Sequence, residues 1–181
     1  GTNAGGAAAT ATVAAASTAY GTNGVVAGTL AINGALGSAN ISVAVNEHSK
    51  TTAESINLQT SKTGVTATAR TEAQLTFGAA GAYSLVLRSD NSTDETVSFS
   101  ISAATGCDGL STAVAAINEK SSKTGVVASL NSDGSGIVLT NSSGNTIAVG
   151  DTASANAGAV TVQKLVGDGS GGVSTSGAAQ T

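Results

Sequence analysis

The sequence predicts an α+β fold built from two related strand–helix–β-hairpin units, with Ala/Gly/Ser/Thr-rich arms at both ends that may pair. Three observations support this prediction. The string SKTGV occurs twice, at 61–65 and 122–126. A helical pattern precedes each copy and alternating residues, typical of strands, follow it. Low-complexity segments flank both copies. The predicted divisions are a first arm at 1–27, units at 28–95 and 96–150, and a returning strand and tail at 151–181.

Composition limits the core and the function classes. The 181 residues are 40% hydrophobic, but aromatics are 2%, and Pro, Met and Trp are absent. A core must therefore come from short runs of Val, Ile and Leu, each worth roughly 1.5–3 kcal/mol when buried. The net charge of −4, with only seven scattered basic residues, argues against nucleic-acid binding, which needs clustered cations. No run approaches the roughly 20 apolar residues of a membrane span, and no signal-peptide pattern opens the chain.

The internal repeat is the strongest feature of the sequence. Residues 55–69, SINLQTSKTGVTATA, align without a gap with residues 116–130, AINEKSSKTGVVASL. Both segments carry Ile-Asn, then Lys, Gly and Val at the same spacing. A repeated supersecondary unit is the simplest explanation.

Each copy predicts a strand, a helix and a stop. Alternation predicts strands at 29–32, 41–45 and 97–101. In the second copy, Leu110, Val114 and Ile117 share one helical face. In the first copy Ala53 and Ile56 form a thinner stripe, and Thr51 with Glu54 fit a capping box.

The SKTGV string predicts the helix stop. A glycine past the last turn can adopt the left-handed conformation, and a lysine there faces the negative end of the helix dipole, worth roughly 0.3–1 kcal/mol. Strands are predicted after it, at 65–69 and 126–130. In the second copy, polar turns at 131–136 and 141–145 lead into further strands at 137–140 and 146–149.

The arms retain weak strand signals at 11–13, 25–26 and 159–162. Pairing of the two ends would suit a domain inserted into a larger protein.

Serine β-lactamase chemistry is the sharpest catalytic alternative. Ser89-Asp90-Asn91 and Lys123-Thr124-Gly125 spell two motifs of that class in order. The nucleophile is absent, because no lysine has a serine three positions before it, so the repeated Lys-Thr-Gly favours a structural interpretation.

Other candidate sites are weaker, and we predict no catalytic, cofactor-binding or metal-binding residue. His48 is the only histidine and, with Glu47, is expected on a solvated turn. The cluster Asp90, Asp94 and Glu95 lacks the spacing of a calcium loop, and the GDGSGG segment at 167–172 lacks the lysine of a P-loop. Cys107, the single cysteine, is expected to be half-buried near a turn. Three N-x-S/T matches occur, at Asn40, Asn91 and Asn141.

Two copies in this order resemble the flagellin hook IN motif of the variable middle region of bacterial flagellins. The matching pieces are GTLAING at 28–34 and SIN at 55–57, then VAAIN at 114–118 and TGVVAS at 124–129. The second copy lacks I-N-G in its first strand, where Ile101-Ser102-Ala103 stands instead.

The resemblance implies a non-enzymatic structural protein without cofactors, exported to the extracellular bacterial flagellum. It would be the outer (D2/D3-type) region of a filament subunit, with a role in motility and antigenic variation, and its surface could carry sugars. Its partners would be other flagellin subunits, held through terminal helices that are not visible here, besides host receptors, antibodies or glycans. Alternatives are a hook-associated or filament-cap segment, and a surface adhesin or carbohydrate-binding module with a groove lined by Tyr83 or Phe99.

Overall fold

A computed structural model describes residues 2–4, 23–167 and 173–180, and it confirms the α+β class. The helices are α1 Ser49–Asn57, α2 Thr60–Thr63, α3 Cys107–Glu119 and α4 Ser121–Thr124. The strands are β1 Thr2–Ala4, β2 Gly28–Gly34, β3 Gly37–Val43, β4 Thr71–Phe77, β5 Gly81–Arg88, β6 Glu95–Ile101, β7 Val126–Leu130, β8 Ile137–Asn141, β9 Ile147–Asp151, β10 Val160–Gly167 and β11 Val173–Gln180.

Two sheets and one helix enclose the main core. One sheet has the order β1-β9-β5-β6, and the other has the order β11-β10-β4-β8-β7. Helix α3 contacts β6 and β7, the edge strands of the two sheets, and so bridges them on one side. Leu110, Ala113 and Ile117 are its buried residues of the core, so the predicted apolar face is confirmed at Leu110 and Ile117, while Val114 is half-buried against that core.

Strict alternation builds the sheet faces of this core. In β4 the residues Ala73, Leu75 and Phe77 are buried while their neighbours are half-buried. Phe77 packs edge-on against Tyr83 and Phe99, with ring centroids 4.9 and 5.6 Å away. These three rings come from β4, β5 and β6, so both predicted units contribute to one core. The division at 95/96 stays a prediction.

The N-terminal part of the first repeat, with β2, β3, α1 and α2, forms a smaller layer beside this core. Strands β2 and β3 make a two-stranded hairpin in unbroken register, with Ile32 and Ile41 buried together with Ala53 of α1. The turn at 142–146 joins this layer to the larger sheets. Gly144 accepts a hydrogen bond from the backbone N–H of Lys50 at 3.1 Å, and Thr146 bonds the ring of His48.

Several local predictions differ from the structure. Residues 65–69 form no strand, because no described strand pairs with them; the two backbone groups of Ala67 are hydrogen-bonded to the side chain of Asn57. The strands that follow, β4 and β5, belong to different sheets and make no hairpin. The helix α1 begins at Ser49 after His48 with no side-chain cap, so the capping box at Thr51 and Glu54 is wrong.

The arms and the cysteine also differ. Strand β1 pairs in parallel with β9, whereas β10 pairs with β4 and β11. The described ends therefore do not pair with each other. The strand expected at 25–26 is absent, and the one expected at 11–13 lies outside the described residues. Cys107 is exposed at the first position of α3. In the described parts of the chain, no helix is long and apolar enough to cross a membrane.

Candidate functional site

The two helix–strand junctions repeat in atomic detail. Each begins at the asparagine of the Ile-Asn pair, continues through a one-turn helix over the letters before the glycine, and ends in an extended segment. In the first copy this is Asn57, α2 and residues 65–70, and in the second it is Asn118, α4 and β7. We refer to these as the first and second junctions.

The asparagine of each junction acts as a short substitute for a strand. Asn57 Nδ2 donates to the carbonyl oxygen of Ala67 at 2.9 Å, and Asn57 Oδ1 accepts from the N–H of Ala67 at 2.7 Å. Asn118 makes the same pair of bonds to Ala128, at 2.9 and 2.7 Å. A side-chain amide presents an N–H donor and a C=O acceptor side by side, as a peptide group does, so it can hydrogen-bond both the N–H and the C=O of the residue it faces.

The threonine and glycine of SKTGV complete the turn. Thr63 and Thr124 are fully buried, and each hydroxyl donates to the carbonyl four residues earlier at 3.0 Å. The same hydroxyls accept from the N–H of Val65 at 3.1 Å and of Val126 at 3.2 Å. Gly64 and Gly125 follow with φ of 72° and 69°. The predicted left-handed helix stop is confirmed in both copies.

The Ser-Asp-Asn segment lies directly on the second junction. The N–H of Asp90 donates to the carbonyl oxygen of Thr124 at 2.9 Å, and its Oδ1 accepts from Asn141 and Asn145, both at 2.7 Å. Asn141 is fully buried and also donates to Ser89 Oγ at 2.9 Å. The two segments that resemble β-lactamase motifs, 89–91 and 123–125, thus lie in contact. The polar atoms of Ser89 and Asp90, however, bind the turn after β8.

The lysine of the second junction is engaged in a surface ion pair. Lys123 Nζ donates to Glu95 Oε1 at 2.9 Å, and Lys120 lies 3.6 Å from the other oxygen of the same carboxylate. The hydrogen bond from Lys123 is the main cause that lowers the pKa of Glu95. Lys123 therefore lies in the last turn of α4 and also links α4 to the start of β6 through this ion pair.

The remaining candidates are placed separately. Glu47 accepts from Ala44 N–H at 2.8 Å and from Thr52 Oγ1 at 2.7 Å, and these bonds lower the pKa of its carboxyl group. Asp94 lies 3.4 Å from Arg88. Among the described residues, no group of three or more His, Cys, Asp or Glu side chains could hold a metal ion.

Tyr83 and Phe99 do not line a groove. They are 2% and 9% exposed and stack in the core. An open groove of about 570 Å³ does lie elsewhere, on the polar outer face of the five-stranded sheet, where Arg70, Glu72, Asn131 and Asp133 are among its lining residues. It contains no aromatic side chain, so the arrangement lacks the stacking surface that the binding alternative requires.

The N-x-S/T matches are placed differently from one another. Asn141 is buried and Asn91 bonds the backbone of Leu87 and Thr93, whereas Asn40 is exposed on β3.

The family model described as flagellin hook IN motif matches twice, at residues 29–91 and 84–143. The chain belongs to the flagellin hook IN motif family. No curated protein matches the chain. The family is a structural, non-enzymatic flagellin family whose members assemble with other flagellin subunits, and the predicted resemblance is confirmed.

The two matches overlap at 84–91, which is the end of β5 and the Ser-Asp-Asn segment. β5 is therefore both the last strand of the first repeat and the first strand of the second. The first match begins in β2 and the second in β5, so the hairpin β5–β6 takes the place in the second repeat that β2–β3 takes in the first. Sequence reasoning missed this overlap and also the role of Asn57 and Asn118. The usable signal was the constant spacing of seven residues between each asparagine and its junction glycine.

Proposed function

We propose that this chain is the surface-exposed outer domain of a flagellar filament subunit, exported from the bacterial cell. One observation carries the proposal. The residues that define both motifs end helices and hydrogen-bond the backbone of the segments that follow. Asparagine, threonine and glycine of each junction make local structural bonds. A motif committed in this way favours a scaffold over a reactive site. Filament contacts would be made by other parts of the parent protein, through terminal helices.

Antibody labelling of native flagella tests the place of the domain. Antibodies raised against the 181-residue chain should label intact filaments along their whole length in electron micrographs. Labelling confined to the filament tip would overturn the proposal in favour of a cap protein. Labelling confined to the base would favour a hook-associated protein. The absence of labelling anywhere on the flagellum would contradict both the filament proposal and these alternatives.

Deletion in the parent protein tests dispensability. Removing residues 1–181 should leave filaments that still assemble, with a thinner or smoother surface. A matched control replaces the same residues with an unrelated folded domain of similar size, which should restore the width. Loss of assembly with both variants would contradict an outer, dispensable domain.

We also propose that the exposed, Ser/Thr/Asn-rich surface displays variable epitopes and sugars. The exposed side chains of β2 and β3 include Thr29, Ser38, Asn40 and Ser42. Intact-mass measurement of the protein from native filaments should exceed the mass of the unmodified chain by sugar increments. A mass equal to that of the bare polypeptide would remove glycosylation from the proposal.

A further inference from the structure

The hairpin β2–β3 differs from every other strand pair that the structure describes. Within residues 2–4, 23–167 and 173–180, β2 pairs with β3 and with no other strand. Its counterpart in the second repeat, β5, pairs with β6 on one side and with β9 on the other. The outer edge of β2 therefore corresponds to the edge of β5 that pairs with β9. Among the described strands, none pairs with this edge of β2.

Within the described residues, the edge of β2 carries no charged side chain, no proline and no bulge. Exposed edges are commonly blocked by charged side chains, proline or a bulge, because their free N–H and C=O groups template pairing with another chain. Residues 1–46 contain no charged residue and no proline. The β2–β3 register runs from Gly28↔Val43 to Gly34↔Gly37 without a bulge.

Exposed apolar surface gathers around the same hairpin. Of the six large hydrophobic side chains exposed in the described part, Val26, Leu30, Leu36, Val45 and Leu58 belong to the first repeat's layer or its flanks. Leu30 is opposite the buried Ile41 in the register and so lies on the packed face of the hairpin, yet it is 41% exposed. In the part of the chain that the structure describes, nothing completes this face beyond β2.

We propose that β2 is a docking edge for β2 of a second copy of this chain, paired antiparallel about a two-fold axis. Three features favour a second copy as the occupant. An antiparallel edge pair is self-complementary under two-fold symmetry. Full overlap of the seven-residue strand places Ala31 opposite Ala31 and Leu30 beside Ile32 of the other copy, so the exposed leucine gains an apolar neighbour on the packed face. The uncharged edge also lets two chains of net charge −4 meet without like charges at the contact.

The first test is the oligomeric state of the whole chain. Sedimentation velocity from micromolar to millimolar concentration should show a monomer–dimer equilibrium. Ala31→Lys places like charges directly opposite each other and should weaken dimerisation on the order of tenfold. Asn40→Lys is the matched control, because Asn40 pairs with Ala31 across the hairpin and is also exposed. Its charges would lie more than a Debye length apart across the dimer and should leave the dimer nearly unchanged.

Cross-linking fixes the register independently of charge. In a Cys107→Ser background, Ala31→Cys should form a disulfide-linked dimer on oxidation, since opposite Cα atoms of an antiparallel pair lie about 4.5–5.5 Å apart. Asn40→Cys should not. A chain that stays monomeric throughout, equal effects of the two lysines, or cross-linking through residue 40 instead of residue 31 would each overturn the proposal. These measurements concern the isolated chain, so their failure leaves the filament proposal standing.

Discussion

Each of the two repeats has a junction with the same structure, but the surroundings of the two junctions differ. The second junction lies at the edge of the five-stranded sheet under α3, with Ala128 buried and Asp90 packed on its glycine. The first junction lies at the surface, with Asn57 exposed and, among the described residues, no strand paired with Ala67. Identical hydrogen bonds should therefore contribute unequally to stability, because an unsatisfied buried group costs about 1–3 kcal/mol while water satisfies an exposed one.

The junction glycines should show the largest contrast. Gly125→Ala should lower the free energy of unfolding by about 3 kcal/mol, because a left-handed alanine costs roughly 1–2 kcal/mol and its Cβ would overlap the carboxylate of Asp90. Gly64→Ala should cost only the roughly 1–2 kcal/mol of the backbone term, since its nearest neighbour is the exposed side chain of Leu36, 3.1 Å away. Urea unfolding of both variants measures the difference. Equal losses would show that the Asp90 contact is unimportant.

The junction asparagines should show the next contrast. Asn118→Ala leaves the buried N–H and C=O of Ala128 without partners and should cost about 2–3 kcal/mol. Asn57→Ala should cost less than about 1 kcal/mol, because water reaches the bonds of Asn57 to Ala67. Asn118→Asp is the matched control, since it keeps the acceptor and loses the donor, and should fall between the wild type and Asn118→Ala. A larger loss at Asn57 than at Asn118 would contradict the burial argument.

The smallest effect is expected at the joint between the two layers. The N–H of Thr146 donates to Nδ1 of His48 at 3.1 Å, so this nitrogen carries no proton. Burial, followed by nearby positive charges that include Lys50, lowers the pKa of His48. The folded state then binds fewer protons than the unfolded state, whose histidine has a pKa of about 6.5.

The contribution of His48 to the free energy of unfolding should therefore be constant above that pH, and the free energy should fall as pH drops from about 6.5 to the lower folded pKa. Urea unfolding at a series of pH values measures this slope. His48→Asn, which keeps an acceptor near the position of Nδ1 but cannot titrate, should flatten it in that window. An unchanged slope in this variant would assign the effect to other groups, such as the carboxylates that titrate below it.

Sequence patterns predicted the features that depend on interactions between residues close in sequence. The stops at Gly64 and Gly125 follow from glycine's access to left-handed backbone, and the α3 face follows from its period. Partners distant in sequence were not predictable from periodicity. Residues 65–69 alternate as strands do, yet whether they join a sheet depends on a neighbour supplied from elsewhere, and none of the described strands pairs with them. Likewise, nothing in the spacing of β4 and β5 indicates that the short 78–80 link crosses from one sheet to the other.

The candidate site shows the same limit. The absence of an S-x-x-K serine is readable from the letters and argues against serine β-lactamase chemistry. That Asp90 lies on the second junction is not readable, since 34 positions separate it from Thr124, its hydrogen-bond partner. Tyr83 and Phe99 were candidates for a groove because aromatic residues serve both cores and binding surfaces. With so few large side chains in the chain, the core requires them.

The cluster of Phe77, Tyr83 and Phe99 has an evolutionary consequence. Its rings come from strands on both sides of the repeat boundary, so neither repeat keeps a complete interior without the other. Related chains should therefore gain or lose such repeats in pairs rather than singly. Differences in their length should collect at polar turns such as 131–136, where an insertion would displace no ring.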